Sequence, residues 1–113
     1  MITIYHNNRC RKSREGLQIL EESGKEFEVV KYLETIPSKA ELKNIIDLLK
    51  IKPIDIVRKN EAIWKQEFKN KSLSDNEIID ALCTHPKLIE RPIVINGNKA
   101  AIGRPPSKIL DII

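Results

Sequence analysis

The chain has 113 residues, 41% of them hydrophobic, enough to bury a core without disulfide staples. A net charge of +4, with 16 acidic residues interspersed among the basic ones and only 4% aromatics, argues against a nucleic-acid footprint or a base-stacking platform. Two cysteines, Cys10 and Cys83, exclude a disulfide framework, and no apolar run approaches the length of a membrane span. The opening "MITIYH" is too short for the apolar region of a signal peptide, so one domain over residues 1–113 in a reducing cytoplasm is expected.

"ITIY" is β-branched and aromatic and predicts a strand. From about Ser13 to Ser23, Leu17 and Leu20 recur at helical spacing, and Gly24 supplies a stop. "EFEVVKYL" predicts a second strand, giving a strand–helix–strand opening with a parallel pair. Ser38 and Glu41 then form a capping box ahead of a helix whose Leu42, Ile45, Ile46 and Leu49 share one face. Pro53 opens a short helical segment, "EAIWKQEF" is weakly amphipathic, and Ser74 with Glu77 repeats the capping box before "EIIDALC". The middle, from Ser38 to His85, therefore reads as mostly helical. "PIVIN-GN-KAAIG" is two apolar runs joined through Asn-Gly, a hairpin signal because both residues tolerate positive φ. "PPSKILDII" closes with a helix, with Ile109, Leu110 and Ile113 facing the core. The order predicts an α/β fold with a mixed four-stranded sheet and a helical insertion between its βαβ and ββα halves.

One segment carries chemistry. Cys10 falls between the first strand and first helix, near a helix N-terminus, where unpaired N–H groups and the dipole favour negative charge. Arg9, Arg11, Lys12 and Arg14 surround it in sequence. Such a setting favours a nucleophilic thiolate, and the same N–H groups suit an oxyanion. The spacing is Cys10-Arg11-Lys12-Ser13, with serine where a redox dithiol has its second cysteine. Any disulfide of Cys10 must involve another molecule or Cys83. An ordinary loop thiol in a solvated basic stretch fits the same residues.

"ITIYHNNRCRKSREGLQIL" resembles the active-site segment of the glutaredoxin-dependent arsenate reductases, whose loop reads His-Asn-Pro-x-Cys-x-x-Ser. The likeness continues through "KYLETIPSKAEL", "DIVRKNE", "SDNEIIDALCTHPKLIERPIVI" and "GRPPSKILDI", almost the whole chain in order. The resemblance implies a thioredoxin-like fold and reduction of arsenate to arsenite, with glutathione as co-substrate, glutaredoxin as partner and no bound cofactor. It implies that Cys10 is the nucleophile, that His6 helps keep it ionised and that Ser13 hydrogen-bonds its sulfur. It further implies that Arg58, Arg91 and Arg104 surround the oxyanion, and that Pro92 follows a cis peptide bond opposite the cysteine loop.

Here Asn8 replaces the family's proline, Arg9 and Arg11 replace small residues, and Glu90 stands where a neutral polar residue often precedes the arginine. The extra cations are expected to favour thiolate and anion. Cys83, beside Ile79 and Leu82, reads as an inert core cysteine, and His85 as a helix-end residue. Neither His6 nor His85 has metal-ligand spacing with a cysteine, so no zinc site is expected. Two alternatives stay open. Redox-responsive transcription regulators of this fold bind RNA polymerase, although they typically carry Cys-x-x-Cys where this chain has Ser13. A thiol oxidoreductase with a different substrate is the other.

Overall fold

The computed structural model describes all 113 residues. They form two compact units, Met1–Thr35 with Arg91–Ile113, and Ile36–Glu90.

The first unit is built on a four-stranded sheet. Its strands are β1 (Ile2–Tyr5), β2 (Phe27–Val30), β3 (Ile93–Asn96) and β4 (Lys99–Ile102), in the order β2-β1-β3-β4. β1 runs parallel to β2, with Ile4 opposite Val29, and antiparallel to β3, with Ile4 opposite Val94. β3 and β4 pair antiparallel. The sheet is therefore mixed, as the pattern implies, and with its βαβ and ββα halves it is thioredoxin-like. Central β1 alternates buried Ile2 and Ile4 with half-buried Thr3 and Tyr5, as a strand with one face on the core should.

Helix α1 (Arg11–Glu22) connects β1 to β2. It starts two residues earlier than the apolar spacing predicts, because a first turn of charged residues shows no periodicity. Gly24, at φ +72°, follows its end in the left-handed conformation that glycine adopts cheaply. Leu20 of α1 packs with Ile2, Ile4, Val94 and Ile109 in a buried cluster.

Two sequence expectations are corrected here. In the β3–β4 hairpin Asn96 is the last strand residue, and the turn residues are Gly97 and Asn98. Only Gly97 has positive φ (+61°), the arrangement of a type II′ turn. The closing segment is a 3₁₀ helix (Pro106–Asp111), not an α-helix. Three residues per turn put Pro106, Ile109 and Ile112 on one side. Ile109 is fully buried, whereas Leu110 is 59% exposed and does not face the core. Asn96 Nδ2 donates to the Ile112 carbonyl at 2.7 Å, and Lys25 Nζ donates to the carbonyl of Ile113, fastening the chain end.

The second unit holds α2 (Lys39–Leu49), α3 (Ala62–Glu67) and α4 (Asp75–Thr84), with 3₁₀ turns at Pro53–Ile56 and Pro86–Leu88. α2 packs on α4 through faces that bury Leu42, Ile45 and Ile46 on one side and Ile78, Ile79 and Leu82 on the other. Each fully buried Leu or Ile stabilises by about 1.5–3 kcal/mol. The capping box is complete only at α4, where Ser74 Oγ accepts from the Glu77 N–H and the Glu77 carboxylate accepts from the Ser74 N–H. At α2, Ser38 Oγ accepts from the Glu41 N–H, but the Glu41 carboxylate meets the Ser38 hydroxyl instead of its N–H. Cys83 is half-buried at the edge of α4's apolar face, not in the core, and burial still pushes its thiol pKa up. No helix is long and apolar enough to cross a membrane. No three His, Cys, Asp or Glu side chains gather into a cluster.

Candidate active site

β1 ends at Tyr5, and the His6 N–H continues its ladder by donating to the Val30 carbonyl at 2.9 Å. The chain then turns, with the Cys10 N–H donating to the Asn7 carbonyl at 3.0 Å. Cys10 is the N-cap of α1, in extended geometry, and its carbonyl accepts the first helical bond from the Arg14 N–H. Ser, Thr, Asp or Asn usually fill such a position and cap the first turn. Here no side chain does so, and no acidic residue lies in that turn. The sulfur therefore stands at the positive end of a three-turn helix. Only 7% of Cys10 is exposed.

The cation at the sulfur is not one of its sequence neighbours. Arg11 is exposed and pairs with Glu15 at 3.1 Å, and Arg14 Nη1 donates to the Asn8 carbonyl at 3.0 Å. Arg9 and Lys12 are exposed. Charged side chains of a first helical turn splay outward, where they keep their hydration. It is Arg104, from beyond β4, that brings Nη2 to 3.7 Å from Cys10 Sγ. Its Nε donates to the Arg91 carbonyl at 2.9 Å, which aims the guanidinium. The Arg91 side chain has Nε and Nη1 shielded from solvent. Arg58 belongs to the helical unit, where its Nη1 donates to Glu61 at 3.0 Å.

Ser13 is fully buried, and its hydroxyl bonds differ from those the resemblance implies. Oγ accepts from the Asn7 N–H at 2.9 Å and lies 2.7 Å from His6 Nδ1. The hydroxyl thus braces the loop and the imidazole, and no hydrogen bond joins it to the sulfur. Burial is the main cause that pushes the His6 pKa below 6.5, helped by Lys31 and Arg14, while bonds to Asn8 and Ser13 oppose the shift. That direction favours the uncharged imidazole.

That shift predicts a pH dependence. Below about pH 6.5 the unfolded chain takes up a proton before the folded chain does, so stability falls as pH drops from 6.5 towards the folded value. Urea midpoints should therefore be lower at pH 5.5 than at pH 7.5, and His6→Gln should flatten that difference. Equal drops in both proteins would exclude His6 as the source.

The Arg91–Pro92 peptide bond is cis, and so is Arg104–Pro105, which nothing in the sequence reading anticipates. Pro92 lies between two glycines. A Cβ on Gly16 would sit 2.9 Å from Pro92 Cγ, and one on Gly103 would sit 2.8 Å from it. Sequence reading passed over both. The available signal was a glycine inside the helical stretch "SREGLQIL", a position that ordinarily has a packing reason.

Residues 5–112 match the ArsC family. The chain belongs to the ArsC family. It is 44% identical to Uncharacterized protein YfgD of Escherichia coli strain K12, over 99% of this chain and 96% of that one. It is 43% identical to an arsenate reductase of Neisseria meningitidis serogroup A, over 92% and 91%. An arsenate reductase structure from Vibrio cholerae superposes with a TM-score of 0.94 at 43% identity, covering 99% of this chain and 97% of that one. In this ArsC-family chain the β1–α1 loop, the cis peptide before Pro92 and the turn at Arg104 all belong to the same compact unit.

Proposed function

We propose that this chain reduces arsenate to arsenite, with Cys10 as nucleophile and glutathione and glutaredoxin as reductants. Membership in the ArsC family makes it an oxidoreductase. The observation that carries the reading is the position of Cys10 Sγ at the N-terminus of α1 with Arg104 Nη2 3.7 Å away. Positive charge from two sources meets at one sulfur, which suits both a thiolate and an incoming oxyanion.

The proposed steps balance as follows. The Cys10 thiolate attacks arsenic and displaces one hydroxyl, which takes a proton from solvent and leaves as water, forming an S–As(V) bond. The guanidinium of Arg104 steadies the oxyanion charge as that bond forms. Glutathione thiolate then attacks Cys10 Sγ. The S–As electron pair goes to arsenic, which departs as arsenite, and Cys10 is left in a mixed disulfide with glutathione. Glutaredoxin takes the glutathione and restores the Cys10 thiol. An external thiol is favoured because the Cys10 loop carries Ser13 where a dithiol has its second cysteine.

His6 and Ser13 are proposed to hold the loop in its reactive shape, His6 through Ser13. Arg91 is proposed as a further oxyanion ligand, and Arg58 is proposed as one on its motif match alone. The test supplies purified protein with arsenate, glutathione and glutaredoxin, and measures arsenite. Turnover with glutaredoxin but not with thioredoxin is the expected result. Turnover with thioredoxin alone would overturn the choice of reductant, and no arsenite with either would overturn the reading.

A further inference from the structure

We propose that Arg9 and Lys12 select the reducing partner of Cys10 by charge, favouring a small thiol that carries carboxylates, as glutathione does, over a neutral one. This rests on the reading of Cys10 as the reactive nucleophile.

Any thiol that exchanges with Cys10 must bring its own sulfur into contact with Sγ. The rest of that molecule then lies beside the β1–α1 loop and the first turn of α1. Those elements are basic throughout. Residues 6–14 hold Arg9, Arg11, Lys12 and Arg14 and no acid, and Glu15 is the first carboxylate that follows.

The cations are not equivalent. Arg11 already pairs with Glu15 at 3.1 Å, and Arg14 Nη1 is tied to the Asn8 carbonyl at 3.0 Å. Arg104 is held by the Arg91 carbonyl and attends the sulfur itself. Arg9 and Lys12 are exposed, and no ion pair or hydrogen bond engages their side-chain nitrogens. The Arg9 backbone is nonetheless fixed. Its N–H donates to Asn7 Oδ1, and the next N–H, that of Cys10, donates to the Asn7 carbonyl, each at 3.0 Å. Lys12 lies in the first turn of α1, where no acidic side chain balances it.

Arg9 and Lys12 stand one and two positions from Cys10, so their Cα atoms lie within about 3.8 Å and 7.6 Å of its own. Their charges then fall about 10 Å from Sγ, where in water each changes the encounter with a unit anion about twofold at low salt. The pair together is expected to favour a carboxylate-bearing partner about fourfold. Neither cation has an existing partner to give up when a carboxylate arrives.

The test follows thiol–disulfide exchange at Cys10 by mass spectrometry, with glutathione disulfide and with neutral hydroxyethyl disulfide. A Cys83→Ser background leaves Cys10 as the only thiol. The Cys10 thiolate attacks one sulfur, a new S–S bond forms, and the other half of the reagent leaves as a thiolate. Cys10 is thereby oxidised and the departing half reduced. The ratio of the two rates cancels any change in the thiolate fraction of Cys10. At about 0.01 M salt, Arg9→Ala combined with Lys12→Ala should lower that ratio about fourfold. At about 1 M salt, where the screening length falls to about 3 Å, the double variant should match its parent. Lys99→Ala removes a charge at the other end of the sheet, where Lys99 pairs with Asn96 and Asn96 with Ile2, and should leave the ratio unchanged. An unchanged ratio in the double variant, an equal drop in Lys99→Ala, or a drop that persists at high salt overturns the inference alone. A Cys10 that exchanges with neither disulfide overturns its reading as the nucleophile, and the inference with it.

Discussion

Cys10→Ser protein should release no arsenite above the no-enzyme blank, a loss of at least about a thousandfold in rate. A serine hydroxyl is not ionised near neutral pH, so it presents no anionic nucleophile at the α1 N-terminus. Nor can glutathione break an O–As bond by the thiol exchange that breaks S–As. The loss should come without unfolding. Serine is a better N-cap than cysteine and should donate stability at the first turn of α1, while a buried sulfur is given up. The two changes oppose each other, so the urea midpoint should move by no more than about 1 kcal/mol equivalent. Residual turnover within about tenfold of wild type would place the nucleophile elsewhere, with Cys83 the other thiol of the chain.

Gly103→Ala should destabilise the protein more than Gly16→Ala, although the two added methyl groups collide with the same ring. At Gly103 the new Cβ meets Pro92 Cγ at 2.8 Å and Ile109 Cδ1 at 3.1 Å. At Gly16 it meets both at 2.9 Å. Ile109 Cδ1 is the end of a flexible side chain and can swing away. Pro92 is a rigid ring, fixed further by its carbonyl accepting from the Gly103 N–H at 2.8 Å. Overpacking of this kind costs about 1–3 kcal/mol. Gly16 lies inside α1, where alanine recovers about 0.5–1 kcal/mol of helix propensity, whereas Gly103 lies outside any helix. The expected net effects are about 2–3 kcal/mol for Gly103→Ala and about 1–2 kcal/mol for Gly16→Ala. Gly103→Ala should also lower arsenate reduction, because the neighbouring Arg104 is the residue that reaches Sγ. Urea unfolding of both variants decides the order. A larger loss at Gly16 would mean that Ile109, not Pro92, is the unyielding partner.

β1 and the main helices were legible because each obeys its own periodicity. Ile2 and Ile4 alternate, Leu42, Ile45, Ile46 and Leu49 recur at helical spacing, and Ser74 with Glu77 marks a helix start. The final segment defeated that reasoning because Ile109 and Ile113 are four apart, as in an α-helix, whereas the tighter 3₁₀ turn groups Ile109 with Pro106 and Ile112 and leaves Leu110 in solvent. At the site, Cys10 was legible from its position and Ser13 from its spacing. What each touches was not. The cations nearest Cys10 in sequence point to water, and the bond of Ser13 to Asn7 and His6 depends on how the loop folds back. Glycines carry no side chain to announce a role, so the clasp on Pro92 needed three dimensions.

The contact between Arg104 and Cys10 spans 94 positions of the chain. A nascent polypeptide therefore exposes its thiol long before the guanidinium that accompanies it has been synthesised. Until β3 has paired with β1 and β4 with β3, carrying Arg104 into place, the sulfur lacks its partner from the chain's far end. The pairing of Cys10 with Arg104 is in this sense a property of the finished fold. A premature fragment that ended within the helical unit would hold the cysteine without Arg104 or Arg91.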